Sequence, residues 1–175
     1  MSENTVALLR EKHDGVLGDH SADPSEREAV RLWLRMLSCT MVIEKRIKRG
    51  LAEQFGTTLP RFDILAALDR AEAGLNMGAL GRALLVSNGN ITGLVQTLVR
   101  DGDVTMAAAP GDRRTAIVTI TPEGRARFLA MAAAHHGWID DVFAGLSAAE
   151  RTALMGLLNR LKGAIAAAPG MENDL

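Results

Sequence analysis

The feature that most narrows what this chain can fold into is the double change of period between residues 76 and 120. Met77 to about Leu84 and Asn88 to about Arg100 both carry apolar residues at helical spacing, with only a tight turn near Val86 and Ser87 between them. In the second piece Ile91, Leu94, Val95, Leu98 and Val99 share one side, which leaves Asn90, Gln96, Thr97 and Arg100 as polar surface. Two short helices joined this closely are a helix-turn-helix candidate. Val104 to Ala107 then starts a β-prone run, Pro110, Gly111 and Asp112 mark a turn, and Ala116 to Ile120 returns beside it. That is a small hairpin wing and not a whole sheet.

Longer helices flank this unit. From Glu26, Val30, Trp33, Leu34, Leu37, Met41 and Ile47 recur near helical spacing, and the helix closes on the basic residues Lys45, Arg46, Lys48 and Arg49. A break at residues 56–60 precedes a second helix from Arg61 to Leu68, striped by Phe62, Leu65 and Leu68. Thr121, Pro122 and Glu123 form an N-terminal helix signal, and the helix they start passes His135 and His136 toward Trp138 and Phe143 before Gly145. Ser147 and Glu150 have the spacing of a capping box for a last helix, whose stripe is Leu154, Leu157, Leu158, Leu161 and Ile165. These helices carry more apolar surface than a small wing can cover, so a homodimer interface is expected, with a compact monomer as the alternative. Residues 1–25 read as an acidic arm and 169–175 as a tail.

Composition removes several classes of function. The 175 residues are about one domain, and the 47% apolar content holds no run of about 20 residues able to span a bilayer, so a soluble protein is expected. A net charge of -1 excludes an undifferentiated basic protein that coats nucleic acid. Residues 31–128 nevertheless carry a net +5 against -6 for the two ends together, so one region can approach a polyanion. The single cysteine, Cys39, permits no internal disulfide and reads as a small core residue. With no secretory signal at the start, a reducing cytoplasm is expected. Adjacent His135 and His136 cannot face one metal from a regular helix, and neither a nucleophile elbow nor a phosphate loop accompanies Ser147 and Glu150. An enzyme is not expected.

Three segments carry a resemblance: Thr58-Leu-Pro-Arg-Phe-Asp-Ile-Leu, Val86-Ser-Asn-Gly-Asn-Ile-Thr-Gly-Leu-Val and Pro110-Gly-Asp-Arg-Arg-Thr-Ala-Ile-Val-Thr-Ile-Thr-Pro-Glu-Gly. Together, over roughly residues 30–165, they resemble the MarR family of bacterial winged helix-turn-helix transcriptional regulators. The resemblance implies a mostly α fold with a small β-hairpin wing, a winged helix-turn-helix lobe at residues 60–121 within a domain of residues 26–168. Residues 26–50 and 122–168 would supply dimerisation helices. It further implies a homodimer on pseudo-palindromic double-stranded operator DNA, acting as a repressor released by a small-molecule inducer, with no cofactor and no membrane. A winged helix that binds only protein is the competing reading.

A helix in the major groove reads base edges through exposed polar side chains, which makes Asn90, Thr92, Gln96 and Thr97 the leading readout positions. Ser87, Asn88 and Arg100 suit phosphate contacts. In the wing Arg113 and Arg114 can enter a minor groove or bind phosphate, Arg114 being slightly preferred. Where many members of the family carry a basic residue, this chain has Met106 followed by three alanines, and Asp101 and Asp103 reduce the local positive potential. The family resemblance also implies a ligand pocket walled by Trp33, Met36, Leu37, Arg61, Phe62 and Leu65, with His135 or Trp138 reaching in. Its ligand would be an aromatic acid or an acyl-CoA thioester, with Arg61 pairing its carboxylate or phosphate. Ordinary core packing competes with that reading at each wall residue.

Overall fold

The computed structural model describes residues 24–84, 88–109 and 111–168, with side chains except those of residues 24–27, 88–90 and 112–114. Ser87, most of the acidic arm and the tail from 169 lie outside the described residues. The chain divides into two compact units, one ending at Arg49 and the other beginning at Gly50.

Helix α1 (Pro24–Phe55) supplies the described part of the first unit and the opening turns of the second, so it is longer at both ends than the span 26–50 read from periodicity. One turn apart, Glu44 and Lys48 pair at 2.7 Å on its exposed side, a contact worth only a few tenths of a kcal/mol at best, roughly. Cys39 is exposed, which corrects its reading as a core residue. At about 100° per residue it falls opposite the stripe of Trp33, Leu37 and Met41.

The second unit continues with α2 (Leu59–Asp69), β1 (Leu75–Asn76), α3 (Met77–Leu84), α4 (Asn88–Arg100), β2 (Val104–Ala109), β3 (Asp112–Ile120), α5 (Pro122–Phe143) and α6 (Ala148–Ala166). Helix α2 starts two residues ahead of Arg61 because Pro60 sits in its first turn, where a missing N–H costs nothing. Asn76 caps α3 by accepting the Ala79 N–H at 2.8 Å. The sheet is antiparallel in the order β1-β3-β2, and the two-residue β1 pairs Leu75 with Val118 and Asn76 with Ile117. Both wing strands run farther toward the turn than their β-prone cores.

The core of this unit is built on α2. Ile64, Leu65 and Leu68 are at most 1% exposed, and α2 packs against α3, α4, α5 and β3. Leu80 of α3, Ile91, Val95 and Leu98 of α4, Val118 of β3 and Met131 of α5 complete it. Each such side chain contributes about 1.5–3 kcal/mol on burial. Helix α6 differs: it starts on the expected capping box, in which the Ser147 N–H donates to Glu150 at 2.8 Å and the Glu150 N–H to the Ser147 hydroxyl at 3.3 Å, yet none of its residues is buried. Among the described residues no helix is long and apolar enough to cross a membrane.

Candidate nucleic-acid interface

Helices α3 and α4 are three residues apart in sequence and pack on each other and on α2, which is the predicted helix-turn-helix. The two faces of α4 are chemically distinct. Ile91, Val95 and Leu98, at steps of four and three, are buried. Thr92, Gln96 and Arg100, at steps of four, form an exposed line on the other side. Gly93 lies beside that line with nothing within 4 Å of where a Cβ would stand, so the backbone itself is open to close approach. Sequence reasoning passed over Gly93, although its spacing of three from Gln96 places it on the same face. Val99, assigned to the apolar side, is instead 39% exposed, because its angular position is at the margin of the buried stripe.

The predicted readout residues are not equivalent. The Thr97 hydroxyl donates to the Gly93 carbonyl at 3.0 Å and accepts from Arg100 at 3.1 Å, so it is engaged within the helix and orients the guanidinium. Gln96 is exposed, as is Thr92. Asn88 and Asn90 lie in the first turn of α4, and their side chains, like those of Arg113 and Arg114, lie outside the described residues. The wing backbone does carry information. Between the pairs Ala108 with Ala116 and Ala109 with Asp112, β2 advances one residue while β3 advances four, so Arg113, Arg114 and Thr115 occupy an irregularity in β3. Such irregularities bend a strand and re-aim its residues. Met106, Ala107 and Ala108 make an exposed, uncharged β2 surface at the edge of the sheet.

The acids behind α4 are paired. Asp101 bonds to Arg61, Asp103 to Arg127 at 3.0 Å, and Asp69 to Arg125 at 3.1 Å.

The candidate ligand-wall residues are divided between the two units. Trp33, Met36 and Leu37 belong to the first unit. In the second unit, Phe62 stacks on His135 with ring centres 5.3 Å apart and meets Phe128 at 5.5 Å, while Leu65 is 1% exposed and is part of the core. Burial, and then the neighbouring His136, hold the His135 pKa below its ordinary value of 6.5. Trp138 lies over Gly50, where a Cβ would stand 2.6 Å from its ring, and contacts Phe55 edge-on at 6.5 Å. A separate open groove of about 450 Å³ runs along Ala71, Thr119, Ile120, Arg125 and Leu129; none of the wall residues lines it. Among the described residues no group of three His, Cys, Asp or Glu side chains could hold a metal ion.

Residues 55–115, which cover the helix-turn-helix, β2 and the first residues of β3, match the MarR family. The chain is 37% identical over 112 residues to the transcriptional activatory protein BadR of Rhodopseudomonas palustris, and the match spans 63% of each chain. A MarR family transcriptional regulator from Silicibacter pomeroyi superposes with a TM-score of 0.71 at 28% identity, covering 82% of this chain and 99% of that one. Bordetella bronchiseptica BpsR, whose DNA binding is regulated by 6-hydroxynicotinic acid, shares the fold with a TM-score of 0.62 at 24% identity, over 73% of this chain and 89% of that one. With the two-faced α4, the wing and the flanking helices in place, the chain has the winged helix-turn-helix fold of MarR family proteins and is similar to that family in sequence over residues 55–115.

Proposed function

We propose that this chain is a cytoplasmic, homodimeric, sequence-specific DNA-binding regulator of transcription that responds to a small acid. The observation that carries this reading is the exposed line of Thr92, Gln96 and Arg100 on a helix whose opposite side buries Ile91, Val95 and Leu98. Such a helix is rigidly mounted and presents hydrogen-bonding groups outward, as insertion into a major groove requires. Residues 60–121 form the DNA-binding lobe in this reading. Residues 26–50 and 122–168 form the dimer, whose partner surface includes the uncovered stripe of α6. Two copies would place two α4 helices on related half-sites about 34–36 Å apart. Gln96 and Thr92 read bases together with Asn90, Arg100 and the start of α4 hold phosphates, and Arg113 and Arg114 serve the wing.

For the effector, the regulation of BpsR by an aromatic acid favours the same class here. Phe62 and His135 supply stackable rings, and an acyl-CoA thioester is the second candidate. Release of DNA requires the ligand to prefer one dimer geometry over the other. The proposed output is repression relieved by ligand; similarity to BadR, a transcriptional activatory protein, favours activation as the second reading.

Anisotropy titration against the chain's own upstream intergenic DNA, with matched and scrambled competitors, tests the reading. Submicromolar binding displaced preferentially by matched DNA, and weakened by an aromatic acid, is expected. A folded protein that selects no sequence even from random DNA overturns it in favour of a protein-binding winged helix. In vitro transcription from the bound promoter separates repression from activation.

A further inference from the structure

We propose that Arg61 and Arg127 are positioning residues for DNA recognition, each gripping one of the two carboxylates at the exit of α4 and together setting the angle at which that helix is presented. The inference rests on the DNA-binding reading above.

Helix α4 ends in a tight turn. The Asp101 N–H donates to the Thr97 carbonyl at 2.9 Å and the Asp103 N–H to the Leu98 carbonyl at 2.9 Å, with Gly102 between them at a φ of 78°. Two acids at a helix C-terminus oppose the helix dipole, and next to DNA they would also repel phosphate. Both are instead held from behind. Asp103 is only 3% exposed, and Nη1 of Arg127 donates to its Oδ2 at 3.1 Å and stands 3.0 Å from its Oδ1. Removal of that cation would leave a buried charge without its partner, a strongly unfavourable state. Asp101 is bonded to Arg61, whose side chain is 16% exposed and whose Nε is buried with no acceptor. An apolar residue at position 61 would avoid that cost, so packing alone does not account for the arginine.

The backbone ties the same exit to α5. The Asp103 carbonyl accepts from the Thr121 N–H at 3.0 Å and from its hydroxyl at 3.1 Å, and a Cβ on Gly124 would stand 1.9 Å from that oxygen. The two arginines come from different helices, and each adjoins a ring of the same cluster: Arg61 follows directly before Phe62, and Arg127 before Phe128. The spacing of α2 and α5 at those rings therefore governs the spacing of the two grips on α4. Neither arginine is part of the exposed line of α4, so both act through the helix and not on the bases.

The test uses the full chain and an operator duplex selected from random DNA, read by anisotropy for Arg127→Gln, Asp103→Asn, the double variant and Arg127→Lys. Each single change is expected to lower the preference for matched over scrambled DNA by about tenfold, with scrambled binding and dimer mass unchanged. The double should lose no more than the worse single, and Arg127→Lys should recover most of the preference. Equal loss on matched and scrambled DNA with a shallower salt dependence would make Arg127 a phosphate contact and overturn the proposal; so would additive losses or none. If Asp103→Asn does not fold, Arg127→Gln decides the matter, its side chain being half-exposed. Amide exchange at residues 98–105 is followed in parallel. If the wild-type protein selects no DNA, the function reading fails, while faster exchange in Arg127→Gln still upholds the grip on α4 and unchanged exchange overturns it.

Discussion

Helices α4 and α6 are both amphipathic, and they use that property in opposite ways. In α4 the apolar side is spent inside its own lobe and a polar line faces outward. In α6 nothing is buried, and Leu154, Met155, Leu157, Leu158, Leu161 and Ile165 remain 36–62% exposed. An isolated helix of this length gains little from propensity alone, and in the proposed dimer a second chain would cover the apolar stripe of this 19-residue helix. The contrast teaches that the outward chemistry of a helix, and not its amphipathicity, indicates its partner: hydrogen-bonding groups for a groove, hydrocarbon for another protein chain.

The largest expected effect comes from breaking the α6 side of this contrast. Leu158→Glu combined with Leu161→Glu should convert a dimer to monomer by light scattering and weaken operator binding by about 100-fold or more, since one half-site alone remains. A dimer of unchanged mass would show that α6 is covered in some other way. Next in size is the mounting of α4. Gly124→Ala places a methyl into the Asp103 carbonyl and should lower stability by about 1–3 kcal/mol in denaturant melts.

Gln96→Ala sharpens the α4 side. It should cost about 1–3 kcal/mol on matched DNA only, whereas Arg100→Ala should weaken matched and scrambled duplexes alike. Identical profiles for the two variants would remove the division between reading and anchoring. The smallest effect concerns His135. Its pKa is lowered in the folded chain, so its neutral form favours folding; that contribution is complete above pH 6.5 and declines as the pH falls below 6.5 toward the folded value. His135→Gln should accordingly flatten the dependence of Tm on pH between about 7 and 5. A slope equal to that of the wild type would assign the acid sensitivity to other groups.

What the sequence revealed and what it concealed divide by range. The bounds of α3 and α4, the Thr121 cap and the Ser147–Glu150 box follow from residues within one or two turns of each other, and they stand where the local patterns place them. The two-residue β1 has no period to detect and exists only through its pairing with β3. Arg61 reads as a ligand cation from sequence, yet its bonded partner Asp101 is 40 residues away. Asp103 looks like a surface acid lowering the local potential, and only the fold shows it buried against Arg127, 24 residues on. Likewise Trp138 packs over Gly50, a contact that helical spacing gives no means of foreseeing.

The most direct test of the account is the mass of the complex between the full chain and its selected duplex, measured by native mass spectrometry on DNA with both half-sites intact and with one scrambled. The account predicts two chains per intact duplex and a sharp loss of binding when either half-site is scrambled, because α6 joins what the two α4 helices read. One chain bound per half-site, with undiminished affinity for the half-scrambled duplex, would contradict it.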